Sequence, residues 1–257
     1  MGKTIAIFNQ KGGVGKTTTN INLAACLALK GKKVLVLDID PQGNTTSGLG
    51  VDKRAMQTST YDILATPNFN IKDAIQKTRT KNLDLIPAST ALAGAEVELV
   101  NVKGREKILK KAIAKVKDKY DYIFIDCPPS LGLLTINSLT AVDAVLIPIQ
   151  CEFYALEGVA QLISTISIVK KNLNADLKIQ GVILSMFDGR TNLSAQVVEE
   201  VKKYFGKKVY KTIIPRNIRL AEAPSYGMSI AEYDPKSKGA EAYRDFAEEF
   251  LEVEGEL

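Results

Sequence analysis

One stretch constrains this chain more than any other: NQKGGVGKTTT at residues 9–19. It follows a short apolar run, Thr4-Ile5-Ala6-Ile7-Phe8, and opens a helix-like segment, Thr17 to Lys30, closed by Gly31. Strand, glycine-rich loop, helix is the context in which a phosphate cradle works. Gly12, Gly13 and Gly15 let the backbone curl and aim several N–H groups at one anion. The helix beginning near Lys16 adds the positive end of its dipole. Lys16 is placed to reach β- and γ-phosphates, and Thr17 offers a hydroxyl to Mg²⁺. The strict pattern, G-x-x-x-x-G-K-[ST], puts its first glycine at position 10. Here that position is Gln10, and a second lysine, Lys11, follows it.

A parallel strand needs parallel neighbours, and the rest of the chain supplies them. Val34–Leu37, Leu83–Ile86, Tyr122–Ile125, Ala144–Ile149, Ile179–Met186 and Val209–Ile213 read as strands, with helices in most of the gaps. Residues 44–60 are polar and glycine-rich and read as a long loop. Arg105–Lys119 reads as one amphipathic helix, with Ile108, Leu109, Ala112, Ile113 and Val116 on its apolar stripe. No internal repeat or Pro/Ser-rich linker interrupts the 257 residues. The expectation is a single α/β domain over 1–257, with a mostly parallel sheet flanked by helices on both faces.

Carboxylates complete the loop. Asp38 and Asp40 close the second strand in DIDPQGN, and Asp126 ends the run Tyr122–Ile125. The carboxyl ends of parallel strands share one edge, where ligands bind. Asp126 is therefore expected to face the same magnesium as Thr17, the Walker-B role. The chain has no histidine, which excludes a histidine base, and its three cysteines, Cys26, Cys127 and Cys151, are scattered. A zinc site is not expected, and reduced thiols in a cytosol fit best. No apolar stretch is long enough to span a membrane and no signal peptide is evident. Lys202 to Arg219 holds seven basic residues (Lys202, Lys203, Lys207, Lys208, Lys211, Arg216, Arg219) and no acid, whereas Glu241 to Leu257 holds seven acids and one base. That asymmetry points to one anion-facing side.

KGGVGKTTT, DIDPQGN and IDCPPSLGLLT together resemble the ParA family of partition ATPases, in its small chromosomal, Soj-like branch. The likeness extends through CEFYALEG (151–158), DGRTNLSAQVVEEV (188–201) and IPRNIRLAEAPSYG (214–227). It implies a P-loop ATPase fold with a "deviant" Walker A, in which Lys11 reaches across a homodimer to the partner's ATP. Charge counting agrees. ATP at about −4, Mg²⁺ and Lys16 leave roughly −1 per site, costly to desolvate at an interface unless the opposite subunit donates a cation. The resemblance gives Asp40 the positioning of the attacking water, with Asp38 supporting the magnesium shell or the switch region. It puts Gly12, Gly13, Val14, Gly15, Lys16, Thr17 and Thr18 around the phosphates, and Met186, Pro215 and Asn217 near the base. It also implies non-specific duplex DNA binding through Arg190 and Arg219, with Lys202, Lys203, Lys207, Lys208 and Lys211 between them. Further implications are a ParB-like partner that stimulates slow hydrolysis and a cytoplasmic, nucleoid-associated protein. The alternatives are a MinD-like membrane regulator, disfavoured by the acidic ending AEEFLEVEGEL, and a cobyrinate-type amide synthase.

Overall fold

The computed structural model describes residues 2–152 and 158–256; residues 153–157, inside the CEFYALEG stretch, lie outside the described residues. Among the described residues, eight strands form one sheet: β1 (Lys3–Ile7), β2 (Val34–Asp38), β3 (Gln76–Lys77), β4 (Leu83–Ile86), β5 (Tyr122–Asp126), β6 (Ala144–Gln150), β7 (Lys178–Phe187) and β8 (Val209–Pro215). Their order is β3-β4-β2-β5-β1-β6-β7-β8. All neighbours are parallel except β3, a two-residue antiparallel edge that the sequence reading missed. The helices are α1 (Lys16–Leu29), α2 (Asn44–Gly48), α3 (Thr60–Ala65), α4 (Leu92–Glu98), α5 (Ile108–Ala114), α6 (Leu133–Ala141), α7 (Val159–Asn172), α8 (Asn192–Phe205), α9 (Ile218–Glu222), α10 (Ile230–Tyr233) and α11 (Lys238–Glu254).

Strand alternation sorts the core into two layers, as period-2 side chains must. Ala6, Leu35, Leu37, Ile123 and Ile125 face one layer, packed beneath α3 to α8. Ile5, Ile7, Val34, Val36, Tyr122 and Phe124 face the other, under α1 and α11, where Phe246 and Phe250 are fully buried. β1 lies between β5 and β6, both later in sequence. The strand order reverses there, which opens a crevice at the carboxyl end of β1, where the glycine loop begins.

Two expected elements differ. The region 44–60 is not all loop, because residues 44–48 form α2. Its sequence, NTTSG, carries no apolar period, so its helicity comes from contacts made by Thr45 and Thr46. Arg105–Lys119 is not one helix. It is a 3₁₀ turn (Arg105–Lys107), then α5, then a second 3₁₀ turn (Lys117–Lys119). The stripe is nevertheless inward, with Leu109, Ala112, Ile113 and Val116 buried. The tightening comes where Lys117 is drawn to Asp143, Nζ to Oδ2 at 2.7 Å.

The acidic ending is not a free tail. As α11 it docks on α1 and the sheet, and its acids meet bases there: Lys3 to Glu254, Lys30 to Glu248 and Lys32 to Glu256. Glu249 accepts from the backbone N–H groups of Lys211 (2.6 Å) and Thr212 (2.8 Å), so it covers part of the open edge of β8.

Candidate active site

The loop after β1 is braced by the flanking strands β6 and β7 and by its own Asn9. Asn9 donates to the Pro148 carbonyl of β6 (2.8 Å) and accepts from the Lys11 amide (3.0 Å). Ser185 Oγ of β7 donates to the Val14 carbonyl (2.8 Å). Gly13 and Gly15 take left-handed backbone (φ 74° and 88°), which is why side chains are disfavoured there. Among the described residues, the amides of Gly12, Gly13, Val14 and Gly15 find no acceptor. They form an N–H cradle at the start of α1, as an anion site requires. Lys16, only 7% exposed, folds back so that its ammonium donates to the Lys11 carbonyl at 2.9 Å. Burial pulls its pKa down, against the attraction of Asp126, Cys127 and Asp40. Lys11 itself is exposed and, among the described residues, has no ion-pair partner.

Alternation also decides where the carboxylates go. Asp38 continues the parity of Val34 and Val36, and Asp126 that of Tyr122 and Phe124, so both point to the α1 layer. Adjacent strands pair them in register, Asp38 opposite Asp126. Both are buried. Asp126 Oδ2 accepts from Thr17 (2.8 Å) and Thr45 (2.7 Å), while its Oδ1 is buried without a partner among the described residues. A buried unpaired carboxylate oxygen is costly. Set beside a threonine hydroxyl and an N–H cradle, it fits a hard cation such as Mg²⁺, taken with its water shell and phosphate oxygens. Burial raises the Asp126 pKa to about 6, partly offset by the Thr45 and Thr17 bonds. Burial, then the neighbouring Asp126 charge, pushes Asp38 up to about 8.

Asp38 is already committed. Its Oδ2 accepts from the Thr46 amide (2.8 Å) and hydroxyl (2.7 Å), and its Oδ1 from the Asp40 amide (3.2 Å). Those bonds make it the anchor of α2. Asp40, 8% exposed, stands beside Lys16 and Asp126 and closes an Asx turn on the Gln42 amide (2.9 Å). Thr45, Thr46, Asn9 and Ser185 escaped the sequence reading. The Thr-Thr doublet after Gly43-Asn44 was the only signal, and it looks like any polar turn.

Met186, Pro215 and Asn217 do come together. With Gly15, Thr18 and Tyr243 they line a hollow of about 380 Å³ beside the loop, in the usual size range of small-molecule sites. Met186 holds a left-handed backbone (φ 53°), a strained conformation for this residue type. Asn217 caps α9, accepting from the Arg219 amide at 2.8 Å.

The basic residues do not come together. Arg190, between β7 and α8, and Arg219, in α9, stand at the carboxyl edge with the loop. Lys202 and Lys203 end α8, and Lys207 and Lys208 precede β8, at the opposite edge. Seven residues of β8 at about 3.3 Å each, roughly 20 Å, separate the two groups. The single anion-facing side expected from the block is therefore two sites. Arg190 is 86% exposed and forks onto Asp188, Nε to Oδ1 at 2.9 Å and Nη2 to Oδ2 at 2.7 Å. The guanidinium holds that carboxyl well below its ordinary range. Arg219 meets Glu222 (2.8 Å) and Asp234 (3.5 Å).

Among the described residues, no helix is long and apolar enough to cross a membrane. Residues 2–179 match a family described as an AAA domain. The sporulation initiation inhibitor protein Soj of Bacillus subtilis (strain 168) is 63% identical over 249 residues, 97% of this chain and 98% of that protein. A cobyrinic acid a,c-diamide synthase from Mycobacterium smegmatis, solved with bound ADP and magnesium, superposes with a TM-score of 0.84 at 40% identity, covering 96% of this chain and 93% of that one. The septum site-determining protein MinD of Pyrococcus horikoshii, complexed with Mg-ADP, gives 0.83 at 29% identity, over 99% and 98%. A mostly parallel sheet, an N–H cradle with a buried lysine, an in-register aspartate pair and 63% identity to Soj over nearly the full length agree: the chain belongs to the ParA/Soj family of chromosome-partitioning P-loop ATPases.

Proposed function

We propose that this ATPase is a switch whose signal is dimerisation. ATP joins two copies face to face, the dimer binds duplex DNA without sequence preference, and a ParB-like DNA-bound partner triggers hydrolysis and release. The observation that carries this reading is the contrast between two lysines five residues apart. Lys16 is buried and turned over its own loop, whereas Lys11 is exposed at the loop's lip and unpaired among the described residues. An exposed cation so close to a phosphate cradle is suited to the triphosphate of a second copy. There it cancels the roughly single negative charge left per site and forms charge-assisted bonds to phosphate oxygens.

The geometry supports the following roles. The amides of residues 12–15 and the Lys16 ammonium bind phosphates, and Thr17 with Asp126 Oδ1, unpartnered among the described residues, would hold the magnesium. When bound, that ion would supply charge neutralisation to the phosphates. Asp40 orients water, and Asp38 ties α2 to the site so that α2 responds to the nucleotide. The hollow at Met186, Pro215 and Asn217 takes the base. Arg190 and Arg219, at the nucleotide edge, are the principal DNA contacts, doubled by dimerisation. The lysines of the opposite edge, roughly 20 Å away and beyond a Debye length at physiological salt, add little to that contact; the phosphate contacts themselves make binding weaken steeply with salt. The protein is accordingly cytoplasmic and sits on the nucleoid. The MinD-like reading is disfavoured by α11, whose apolar stripe (Tyr243, Phe246, Ala247, Phe250, Leu251) is buried and so is not available to lipid.

Light scattering after size exclusion tests the switch. Native chain with a slowly hydrolysed ATP analogue and magnesium is expected to run as a dimer, and with ADP as a monomer. Lys11→Ala should bind the analogue and stay monomeric. A Lys11→Ala dimer of native affinity would refute the reading.

A further inference from the structure

Gln10, in the place of the first loop glycine, has a partner of its own. Its Nε2 donates to Thr165 Oγ1 of α7 at 2.9 Å, across 155 positions of sequence. The acceptor is oriented: the Thr165 hydroxyl donates to the Gln161 carbonyl one turn earlier (3.0 Å), which leaves its lone pairs for Gln10. The backbone of Lys11 is meanwhile pinned at both of its polar groups, its amide by Asn9 (3.0 Å) and its carbonyl by the Lys16 ammonium (2.9 Å). Val14 and Val159, at the start of α7, border one small enclosed space between loop and helix. Loop and α7 therefore meet, and among the described residues Gln10 supplies the side-chain hydrogen bond between them.

We propose that Gln10 is a positioning residue. Its bond to Thr165 holds the arm carrying Lys11 in the orientation in which that lysine meets a second copy, and it makes that orientation depend on α7. The inference rests on the dimer reading above. A glycine at position 10 has no side chain to tie the arm and adds backbone freedom. That freedom has to be removed when two copies join, which weakens association without altering how one copy holds its nucleotide.

The test compares Gln10→Gly, Thr165→Val and Thr165→Ser with native chain in two assays. One is binding of a fluorescent ATP analogue at concentrations too low for dimers; the other is sedimentation of the analogue-loaded dimer. Gln10→Gly and Thr165→Val are expected to raise the dimer dissociation constant about tenfold, as loss of one ordering bond per copy implies, with single-copy binding unchanged. Thr165→Ser, which keeps the hydroxyl, should behave as native. The double variant Gln10→Gly with Thr165→Val should be no worse than the weaker single. Native dimerisation in both single variants overturns the tether alone. Additive losses, or a Thr165→Ser as weak as Thr165→Val, overturn it too. A native chain that stays monomeric with the analogue overturns the dimer reading and this inference together.

Discussion

Replacing Asp38 by asparagine should reshape the pH dependence of stability of the nucleotide-free protein. Asp38 is buried in register with Asp126, and burial followed by that neighbour's charge lifts it from an ordinary 3.8 to about 8. Below about pH 4 both folded and unfolded chains hold this proton. Above that the unfolded chain releases it and the folded chain does not, so stability falls as pH rises, until the folded carboxyl ionises near pH 8. One proton is worth about 1.4 kcal/mol per pH unit, so from pH 6 to pH 8 the native protein should lose up to about 3 kcal/mol. With an m-value of about 3 kcal/mol/M, that moves the urea midpoint by about 1 M. Few other groups titrate in this window. The chain has no histidine, and burial pushes Cys26 up to about 11 and Cys127 and Cys151 to about 12. Asp126, at about 6, adds to the slope only at the lower end. An asparagine side chain here would keep an acceptor for Thr46 but present an NH₂ to the Asp40 amide, forfeiting one 3.2 Å bond, about 1 kcal/mol. The variant should therefore be nearly flat between pH 6 and pH 8 and gain on the native protein as pH rises. Urea titrations in EDTA at pH 6, 7 and 8 decide it. A native midpoint that holds or rises across that range, or a variant with the native slope, would show that the aspartate pair does not retain its proton.

Three further outcomes are expected. Asp40→Ala should lower phosphate release about a hundredfold while the ATP-loaded dimer persists on DNA; turnover at the native rate removes Asp40 from the chemistry. Arg190→Glu should dimerise with ATP yet lose DNA, and the milder Arg190→Gln should lower the salt slope by about two per dimer; full binding of Arg190→Glu at physiological salt contradicts the edge assignment. Glu249→Ala leaves the amides of Lys211 and Thr212 on β8 uncovered and also removes a 2.7 Å bond from the Thr212 hydroxyl. The loss should be about 2 kcal/mol, or roughly 5 °C in a thermal scan, and an unchanged midpoint would show that water replaces the carboxylate fully.

Local chemistry was legible in the sequence wherever one segment does one job. The run Thr4–Phe8, the glycines and Lys16-Thr17 dictate strand, cradle and helix because backbone conformation and dipole are properties of neighbouring residues. Buried parallel strands announced themselves as unbroken apolar runs, and hence the fold class. What failed depended on partners elsewhere. α2 is a helix because Asp38 and Asp126 receive its threonines, and NTTSG contains no trace of those carboxylates. The lysines at 202–208 and the arginines at 190 and 219 are close in sequence yet stand at opposite sheet edges, since α8 carries the chain across the molecule after Arg190 and β8 carries it back before Arg219. The acidic ending reads as a charge asymmetry, but its apolar stripe docks it and its acids find bases on two other segments, Lys3 in β1 and Lys30 and Lys32 in the turn after α1. Sequence alone determined which chemistry is present. Tertiary structure decided which groups share a site, because strand order and register, not distance along the chain, bring Asp38 to Asp126 and Gln10 to Thr165.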